Sequence, residues 1–160
     1  MTVLPTASSP ESIALCRSLG ADVIIDYRRE DSVARVRPET GGQRCPVILD
    51  CVGLDTLNKS MSCIAVDGRL VTIVGGQTLD RIRDLFIRCA TLHREFMGVP
   101  ALSGLRLERQ ATILRPIAQV VDQGRLKVHV RRVLGLADLA QGHRLLEAGH
   151  MTGKIAVRVR

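Results

Sequence analysis

The residues in this sequence best suited to chemistry are five cysteines and four histidines. Thiolates and imidazoles bind metals, attack carbonyl carbons or transfer protons, but each needs partners at a suitable spacing. We find no C-x-x-C pair, no cysteine and histidine at metal-ligand spacing, no G-x-S-x-G turn and no carboxylate or cysteine at a telling distance from a histidine. We therefore predict neither a metal site nor a catalytic residue. The cysteines are Cys16, Cys45, Cys51, Cys63 and Cys89, and the histidines are His93, His129, His143 and His150.

The cysteines indicate a reducing compartment rather than a disulfide framework. Their number is odd, and residues 1–10 lack the basic segment and apolar run of a secretory signal. No apolar run approaches the roughly 20 residues that a membrane-spanning helix needs. We expect a cytoplasmic protein with no membrane partner, whose cysteines are small buried side chains. His143 is expected to be a partly buried structural residue on a helix.

The net charge of +7 permits binding to nucleic acid or to a phosphorylated ligand. The basic residues, mostly arginines, are spread along the chain, and the tight pairs are at 28–29 and 131–132. One tyrosine and two phenylalanines are too few to stack against bases. We therefore expect no nucleic-acid partner.

Short β-branched runs alternate with helical stretches along the 160 residues. One face of a 3.6-residue period is clearest between residues 106 and 123, although Pro116 should kink this helix or delay its start. The first helix is predicted to begin at Ser8–Pro10 and to stop at Gly20. Predicted strands are 3–4, 23–25, 47–49, 69–74, 91–97, 128–133 and 155–159, and the other predicted helices are 31–37, 56–64, 80–88, 106–123 and 136–147, with a turn at 67–68.

This alternation predicts an α/β fold with a doubly wound, mainly parallel sheet covered on both faces. Ligands of such sheets bind beyond the carboxyl ends of the strands. That rule selects residues 6–9, 26–27, 51–53 and 75–76, and two of these segments contain the glycine that close backbone approach to a ligand requires.

Several segments resemble one family. TASSPESIALCRSLGADVIIDY, VILDCVG, DGRLVTIVGG and RLLEAGHMTGKIAV are similar to the cofactor-binding domain of medium-chain dehydrogenase/reductases, most of all quinone oxidoreductases and zinc-type alcohol dehydrogenase-like proteins. The segment LFIRCATLHREFMG resembles the sixth-strand region of the latter group. The resemblance implies a Rossmann-like sheet that here begins at the family's second strand, so that residues 1–160 form one partial dinucleotide-binding domain. The family's N-terminal catalytic domain and the first βα unit, with its glycine-rich pyrophosphate turn, are not found in these residues.

The resemblance also implies a nicotinamide cofactor. An acidic residue at the end of the second strand binds the ribose hydroxyls of NAD and repels the 2′-phosphate of NADP. The corresponding positions here hold no carboxylate but supply the hydroxyls of Ser8 and Ser9, with Tyr27, Arg28 and Arg29 nearby. By resemblance, Tyr27 lies beside the adenosine phosphate, and the predicted cofactor is NADP (NADPH). Ser8 and Ser9 fit plain helix capping equally well, and one hydroxyl can do both.

The same resemblance assigns the nicotinamide end of the cofactor. Cys51, Val52 and Gly53 end the family's fourth strand, where its backbone faces the nicotinamide ribose. Gly75 and Gly76 end the fifth strand, alongside the nicotinamide ring.

Three further positions are open to two interpretations each. Phe96 and Met97 lie near the nicotinamide ring by resemblance, but core packing explains them as well. Lys154 resembles a basic position near the cofactor phosphates, but it is also an ordinary solvated lysine of a turn.

Two functions from different classes follow. The first is the cofactor-binding portion of an NAD(P)H-dependent oxidoreductase whose small-molecule carbonyl or quinone substrate needs a catalytic domain, so that the chain alone is inactive. The alternative is a non-catalytic remnant or assembly module that keeps the fold and its dimerisation edge. Relatives commonly pair strands at the region of 91–97 across a dimer, so we expect a homodimer. A reading frame that continues upstream into a glycine-rich turn and a catalytic domain would favour the enzyme.

Overall fold

The computed structural model describes residues 1–76, 78–149 and 151–160. It divides into two compact units, Met1–Gly104 and Leu105–Arg160. Every strand pairing in both units is parallel, as the alternation of strands and helices predicts. Within the described ranges, no helix has the length and apolar character needed to cross a membrane. The expectation that residues 1–160 form one domain stays a prediction.

The first unit holds two parallel sheets. One has two strands in the order β1-β2, and the other has three in the order β3-β4-β5. Its elements are β1 Thr6–Ala7, α1 Pro10–Ser18, β2 Ile25–Asp26, α2 Ser32–Glu39, β3 Cys45–Asp50, α3 Asp55–Cys63, β4 Ile64–Thr72, α4 Ile82–Phe86, β5 Thr91–Arg94 and α5 Val99–Ser103.

Local capping explains where the first helices begin. The Ser9 hydroxyl accepts a hydrogen bond from the Ser12 amide at 3.0 Å, and the Ser12 hydroxyl accepts one from the Ser9 amide at 3.1 Å. This reciprocal capping box, with Pro10 in the first turn, confirms the predicted start of α1. The Asp31 carboxylate caps α2 by accepting from the Val33 amide at 3.0 Å.

The three-stranded sheet buries one face. Leu57 and Met61 of α3 and Leu85 of α4 pack with Ile64 and Leu70 of β4 in a core cluster. Ile48 of β3 packs against this cluster. Because successive side chains of a strand point to opposite faces, its neighbours Val47 and Leu49 point away from the cluster. Val47 and Leu49 are 59% and 64% exposed, so this face of the sheet is largely open.

A second cluster joins the two sheets through side chains. Ile25 of β2, Val36 of α2 and Cys63 of α3 are buried together, and Ile48 and Cys45 of β3 pack against them. Burial, with a smaller effect of Cys45, raises the pKa of the Cys63 thiol to about 11. Burial also raises the pKa of Cys45. All five cysteines are free thiols, but Cys51 and Cys89 are exposed, so the expectation of buried cysteines is wrong for these two.

The strand predicted at residues 69–74 is β4, which starts five residues earlier and ends two residues earlier than expected. The turn expected at Asp67 and Gly68 is a bulge within β4, where the register with β3 shifts. A side chain at position 68 would bring its Cβ within 2.8 Å of Ile64, so the bulge needs glycine there. The Asp67 amide donates to the Arg88 carbonyl at 2.8 Å. A turn signal in the sequence therefore marks an irregularity inside a strand.

The first two strands are shifted from their predicted places. Residues 3–4 precede β1, and residues 23–24 precede β2. The two segments nevertheless lie side by side, because the Val23 amide donates to the Val3 carbonyl at 3.4 Å and the Ile25 amide to the Pro5 carbonyl at 3.0 Å. The helix expected at 80–88 is shorter, and α5 was not predicted.

The second unit has a two-stranded sheet and two helices. Its elements are α6 Arg109–Asp122, β6 Val130–Gly135, a 3₁₀ turn Leu136–Asp138, α7 Leu139–Glu147 and β7 Lys154–Arg158. Helix α6 begins three residues later than predicted and continues through Pro116. Gly142 lets α7 approach the sheet, since a Cβ there would lie 3.2 Å from Leu134. His143 is exposed on α7, so the expectation that it is partly buried is wrong.

Candidate active-site region at the strand ends

The carboxyl ends of β3, β4 and β5, the strands of the three-stranded sheet, lie side by side. Asp50, Thr72 and Arg94 are register partners across β3, β4 and β5. The loops that follow therefore leave the same edge of the sheet. This edge brings together three groups of predicted site residues: Cys51, Val52 and Gly53, then Gly75 and Gly76, then Phe96 and Met97.

A buried carboxylate holds the first of these loops. Asp50 is 3% exposed, and its Oδ1 accepts from the Val52 and Gly53 amides, each at 3.2 Å. Its Oδ2 accepts from the Gly53 amide at 3.1 Å and from the Thr72 hydroxyl at 3.4 Å. Our sequence interpretation did not single out Asp50. An aspartate between a buried strand and a glycine, as in VILDCVG, is the signal that could have found it.

The glycines of the next loop leave open space beside the strand ends. A Cβ placed on Gly75 or Gly76 would meet no atom of the described residues within 4 Å, apart from those of its neighbours in the chain. Gly76 has φ of 81°, which favours glycine, whereas Gly75 has no such requirement. Neither position is constrained by protein packing around it. Cys51 and Val52 are also exposed, whereas Gly53 is buried.

The segment after β5 is exposed as well. Phe96 and Met97 are 60% and 72% exposed, so core packing does not account for them. The Phe96 ring covers Gly98, where a Cβ would lie 2.8 Å from its Cζ. His93 Nε2 lies 3.1 Å from Glu95 Oε2, so the expectation that no histidine has a carboxylate partner is wrong. The signal that could have found the pair is its spacing of two residues, because this spacing places both side chains on the same side of an extended chain.

A second concave region lies at the ends of the two short strands. A cavity of about 290 Å³ is lined by Ser8 after β1, by Asp26 at the end of β2, by Arg17 on α1 and by Arg29, together with Pro10, Ile13 and Ala14. Arg17 was missed by sequence reasoning. Its signal is the spacing of four residues from Ile13, which places both on one side of α1.

The other predicted residues near this cavity have different positions. The hydroxyl of Ser9 caps α1, which confirms the capping interpretation for Ser9. Tyr27 and Arg28 are exposed on the turn that follows β2, and the Arg28 amide donates to Asp26 Oδ1 at 3.1 Å. Of these predicted residues, Ser8 lines the cavity. Arg29, which follows Arg28 in the chain, lines it as well.

Lys154 belongs to the second unit. It opens β7, its amide donates to the His129 carbonyl at 2.9 Å, and its side chain is exposed. It lines a cavity of about 440 Å³ with Leu146, Gly149, Met151, Gly153 and Ile155. His150 lies outside the described residues. Among residues 1–76, 78–149 and 151–160, no three His, Cys, Asp or Glu side chains come together as a metal ion would require.

Parallel strands joined by helices, with loops gathered at their carboxyl ends, define the class of α/β nucleotide-binding domains. The family model described as "Zinc-binding dehydrogenase" matches residues 19–157. The chain belongs to this family, and it is a cofactor-binding domain of the medium-chain dehydrogenase/reductase type. Although the family is named for zinc, the described residues present no ligand set for it.

Comparison with individual proteins agrees with this assignment. A quinone oxidoreductase of Pseudomonas aeruginosa is 31% identical over 155 residues, which are 94% of this chain and 47% of that protein. A solved NAD-dependent alcohol dehydrogenase has a TM-score of 0.82 at 27% identity, covering 99% of this chain and 44% of its own. Escherichia coli quinone oxidoreductase, solved with NADPH, shares the fold with a TM-score of 0.77 at 23% identity, covering 99% and 49%. The chain thus spans about half the length of these relatives.

Proposed function

We propose that this chain is the cofactor-binding portion of an NADPH-dependent oxidoreductase of the quinone reductase or alcohol dehydrogenase-like kind. The observation that carries the NADPH preference is the cavity at the ends of β1 and β2. Its wall includes Ser8, Arg17 and Arg29, residues that carry a hydroxyl and two guanidinium groups. Hydroxyl and guanidinium donors suit a phosphate, and arginine binds one with two parallel hydrogen bonds.

The carboxylate in this cavity does not reverse the argument. Asp26 Oδ2 lies 3.5 Å from Arg29 Nε, and its Oδ1 accepts from the Arg28 amide. Its amide in turn donates to Glu30 at 2.7 Å. Asp26 is thus occupied within its own turn, and Arg17 adds a second positive charge to the cavity wall. A 2′-phosphate would meet more donors than acceptors.

The nicotinamide would then lie at the other strand ends. Residues 51–53 and 75–76 leave the same sheet edge, and the space beside Gly75 and Gly76 is open. The bound cofactor would supply the hydride. A small carbonyl or quinone substrate would need a catalytic domain besides this chain. We place the protein in the cytoplasm, consistent with its free cysteines.

The cofactor preference is tested by titrating the 160-residue chain with NADPH and NADH. Arg17→Ala should weaken NADPH binding by about ten- to hundredfold, since hydrogen bonds to charged groups contribute about 1.5–3 kcal/mol, and should leave NADH binding almost unchanged. Arg28→Ala is the comparison variant, because Arg28 lies outside the cavity wall. NADH binding equal to or tighter than NADPH binding would contradict the proposal.

Affinity should be low even for NADPH. These 160 residues contain no G-x-G-x-x-G turn, so the pyrophosphate lacks charge-assisted backbone hydrogen bonds worth about 1.5–3 kcal/mol each. Without two or three of them, binding weakens by about two to five orders of magnitude. Calorimetric titration measures this, and low-micromolar affinity would show that the donors come from elsewhere in the chain.

The alternative function is a non-catalytic assembly module. The observation that favours it is that β5 pairs with β4 alone among the described strands, and we propose a homodimer in which the other side of β5 pairs with a second copy. The titration above separates the two functions. Saturable NADPH binding supports the oxidoreductase, whereas self-association without cofactor binding supports the module.

A further inference from the structure

The loop after β3 is shaped by one buried charge. Asp50 is 3% exposed and accepts hydrogen bonds from the Val52 amide, the Gly53 amide and the Thr72 hydroxyl. A buried carboxylate is costly unless such donors surround it, so the loop and the charge depend on each other. Because the amides of Val52 and Gly53 point to this carboxylate, Cys51 and the side chain of Val52 form the exposed part of the loop.

Thr72 connects this charge to the next two strands. Its hydroxyl lies 3.4 Å from two acceptors, Asp50 Oδ2 and the Val74 carbonyl, and accepts from the Val74 amide at 3.3 Å. The Ile73 amide donates to the Asp50 carbonyl at 3.2 Å, and the Glu95 amide donates to the Thr72 carbonyl at 2.9 Å. The ends of β3, β4 and β5 are therefore linked through Asp50 and Thr72.

The loop also holds an unfavourable backbone. Gly53 has φ of 76°, and Leu54, which follows it, has φ of 52° and ψ of −134°. A non-glycine residue in such a conformation persists when its surroundings enforce it. The hydrogen bonds to Asp50 hold Gly53, the residue immediately before the strained Leu54.

We infer that Asp50 and Thr72 are positioning residues, whose buried carboxylate–hydroxyl contact fixes the loop after β3 against the end of β4 for the nicotinamide end of the cofactor. Neither side chain needs to touch the cofactor. The role toward the cofactor rests on the proposed function, whereas the contact between Asp50 and Thr72 does not depend on it. Without the contact, the loops at 51–53 and 74–76 would move separately.

The experiment compares Thr72→Val, which removes the hydroxyl at nearly constant volume, with Thr72→Ser, which keeps it. Amide hydrogen exchange of the ¹⁵N-labelled chain is measured first, without cofactor. In Thr72→Val, the Val52, Gly53 and Val74 amides should exchange about two- to tenfold faster, as expected for the loss of one hydrogen bond. Thr72→Ser should keep the rates of the original chain. Asp50→Asn should accelerate exchange at the same amides.

The second readout is the NADPH-induced change in amide chemical shifts. In Thr72→Val, the NADPH-induced shift changes at residues 51–53 and 75–76 should become smaller, whereas those at Ser8 and Arg29 should persist. In Thr72→Ser, both sets of changes should be the same as in the original chain. A general loss of stability would reduce both sets together and would overturn the inference. Unchanged exchange and shifts in Thr72→Val would overturn it as well. If the original chain shows no NADPH-induced shift, the proposed function fails, and the exchange rates still decide whether the contact fixes the loop.

Discussion

Two residues near the strand ends have an environment or a backbone conformation that is unusual for their residue type. Asp50 is a charge in the interior, and Leu54 has a backbone that suits glycine. Such departures are stable only where neighbouring hydrogen bonds impose them, and they concentrate at functional loops. The Leu54 side chain is 69% exposed, so burial contributes little to keeping leucine there.

Leu54→Gly should raise the free energy of unfolding by about 1 kcal/mol. A strained non-glycine residue costs about 1–3 kcal/mol, and the added flexibility of glycine in the unfolded chain returns about 0.5–1 kcal/mol. Leu19→Gly is the control, since Leu19 is similarly exposed but has φ of −89°. Urea unfolding measures both. Equal destabilisation by the two substitutions would show that Leu54 is not strained.

At the scale of elements, α3 and α4 are tied by a polar contact at the rim of the core. The Ser62 hydroxyl donates to Asp84 Oδ2 at 2.8 Å, and Arg88 Nη1 lies 3.2 Å from Asp84 Oδ1. Burial alone would raise the pKa of Asp84, but the hydrogen bonds from Ser62 and Arg88 and the charge of Arg88 outweigh it. The pKa of the carboxyl therefore lies below its ordinary value.

This shift predicts a loss of stability in acid. Because the pKa of Asp84 is lower in the folded chain than in the unfolded one, its contribution is complete above the ordinary value. It is lost as the pH falls from about 4 through the lower, folded pKa. Asp84→Asn should lower the free energy of unfolding by about 1 kcal/mol at pH 7, and the difference should vanish in this acid range.

Asp80→Asn provides the matched control, because Asp80 is exposed in the segment just before α4. Surface carboxylates contribute little, so this variant should unfold at pH 7 like the original chain. Urea unfolding at several pH values gives the comparison. An Asp84→Asn difference that stays constant down to the acid limit would mean that packing, rather than charge, supports the contact.

The sequence predicted those helices and strands whose positions depend on nearby residues, such as helix caps and turns. Ser9 and Pro10 located α1, and alternation of strands and helices indicated the parallel α/β class. Local rules failed where tertiary contacts override them, as in the bulge at Gly68, which Ile64 and β3 impose. Helix α5 was missed because five residues are too few for a periodic pattern.

The candidate site was predicted in part for the same reason. The strand-end rule selected the loops at 51–53 and 75–76, which the register places together. It could not select Arg17, whose contribution depends on the distance between α1 and the turn after β2. Nor could it show that Arg29, rather than Arg28, faces the cavity, because neighbouring residues of a turn point in different directions.

At the scale of the whole molecule, the sheets have edge strands that pair with no further strand in the part of the chain that the structure describes. Strands β1 and β3 each have a neighbour on one side, and they do not pair with each other. The first two strands are therefore separate from the three-stranded sheet in their hydrogen bonding, although a shared cluster of side chains joins them. Open strand edges recruit strands of other chains.

The last prediction is that the isolated 160-residue chain is not a monomer. Besides its open edges, the face of β3 that carries Val47 and Leu49 is exposed and apolar. Exposed apolar patches associate in water. Light scattering coupled to size exclusion should give masses above 17.5 kDa that rise with protein concentration. Leu49→Lys should reduce association, since charged side chains protect sheets from pairing, whereas Leu19→Lys, away from this face, should not. A sharp 17.5 kDa peak with cooperative thermal unfolding would show that the sheets are stable with their edges open.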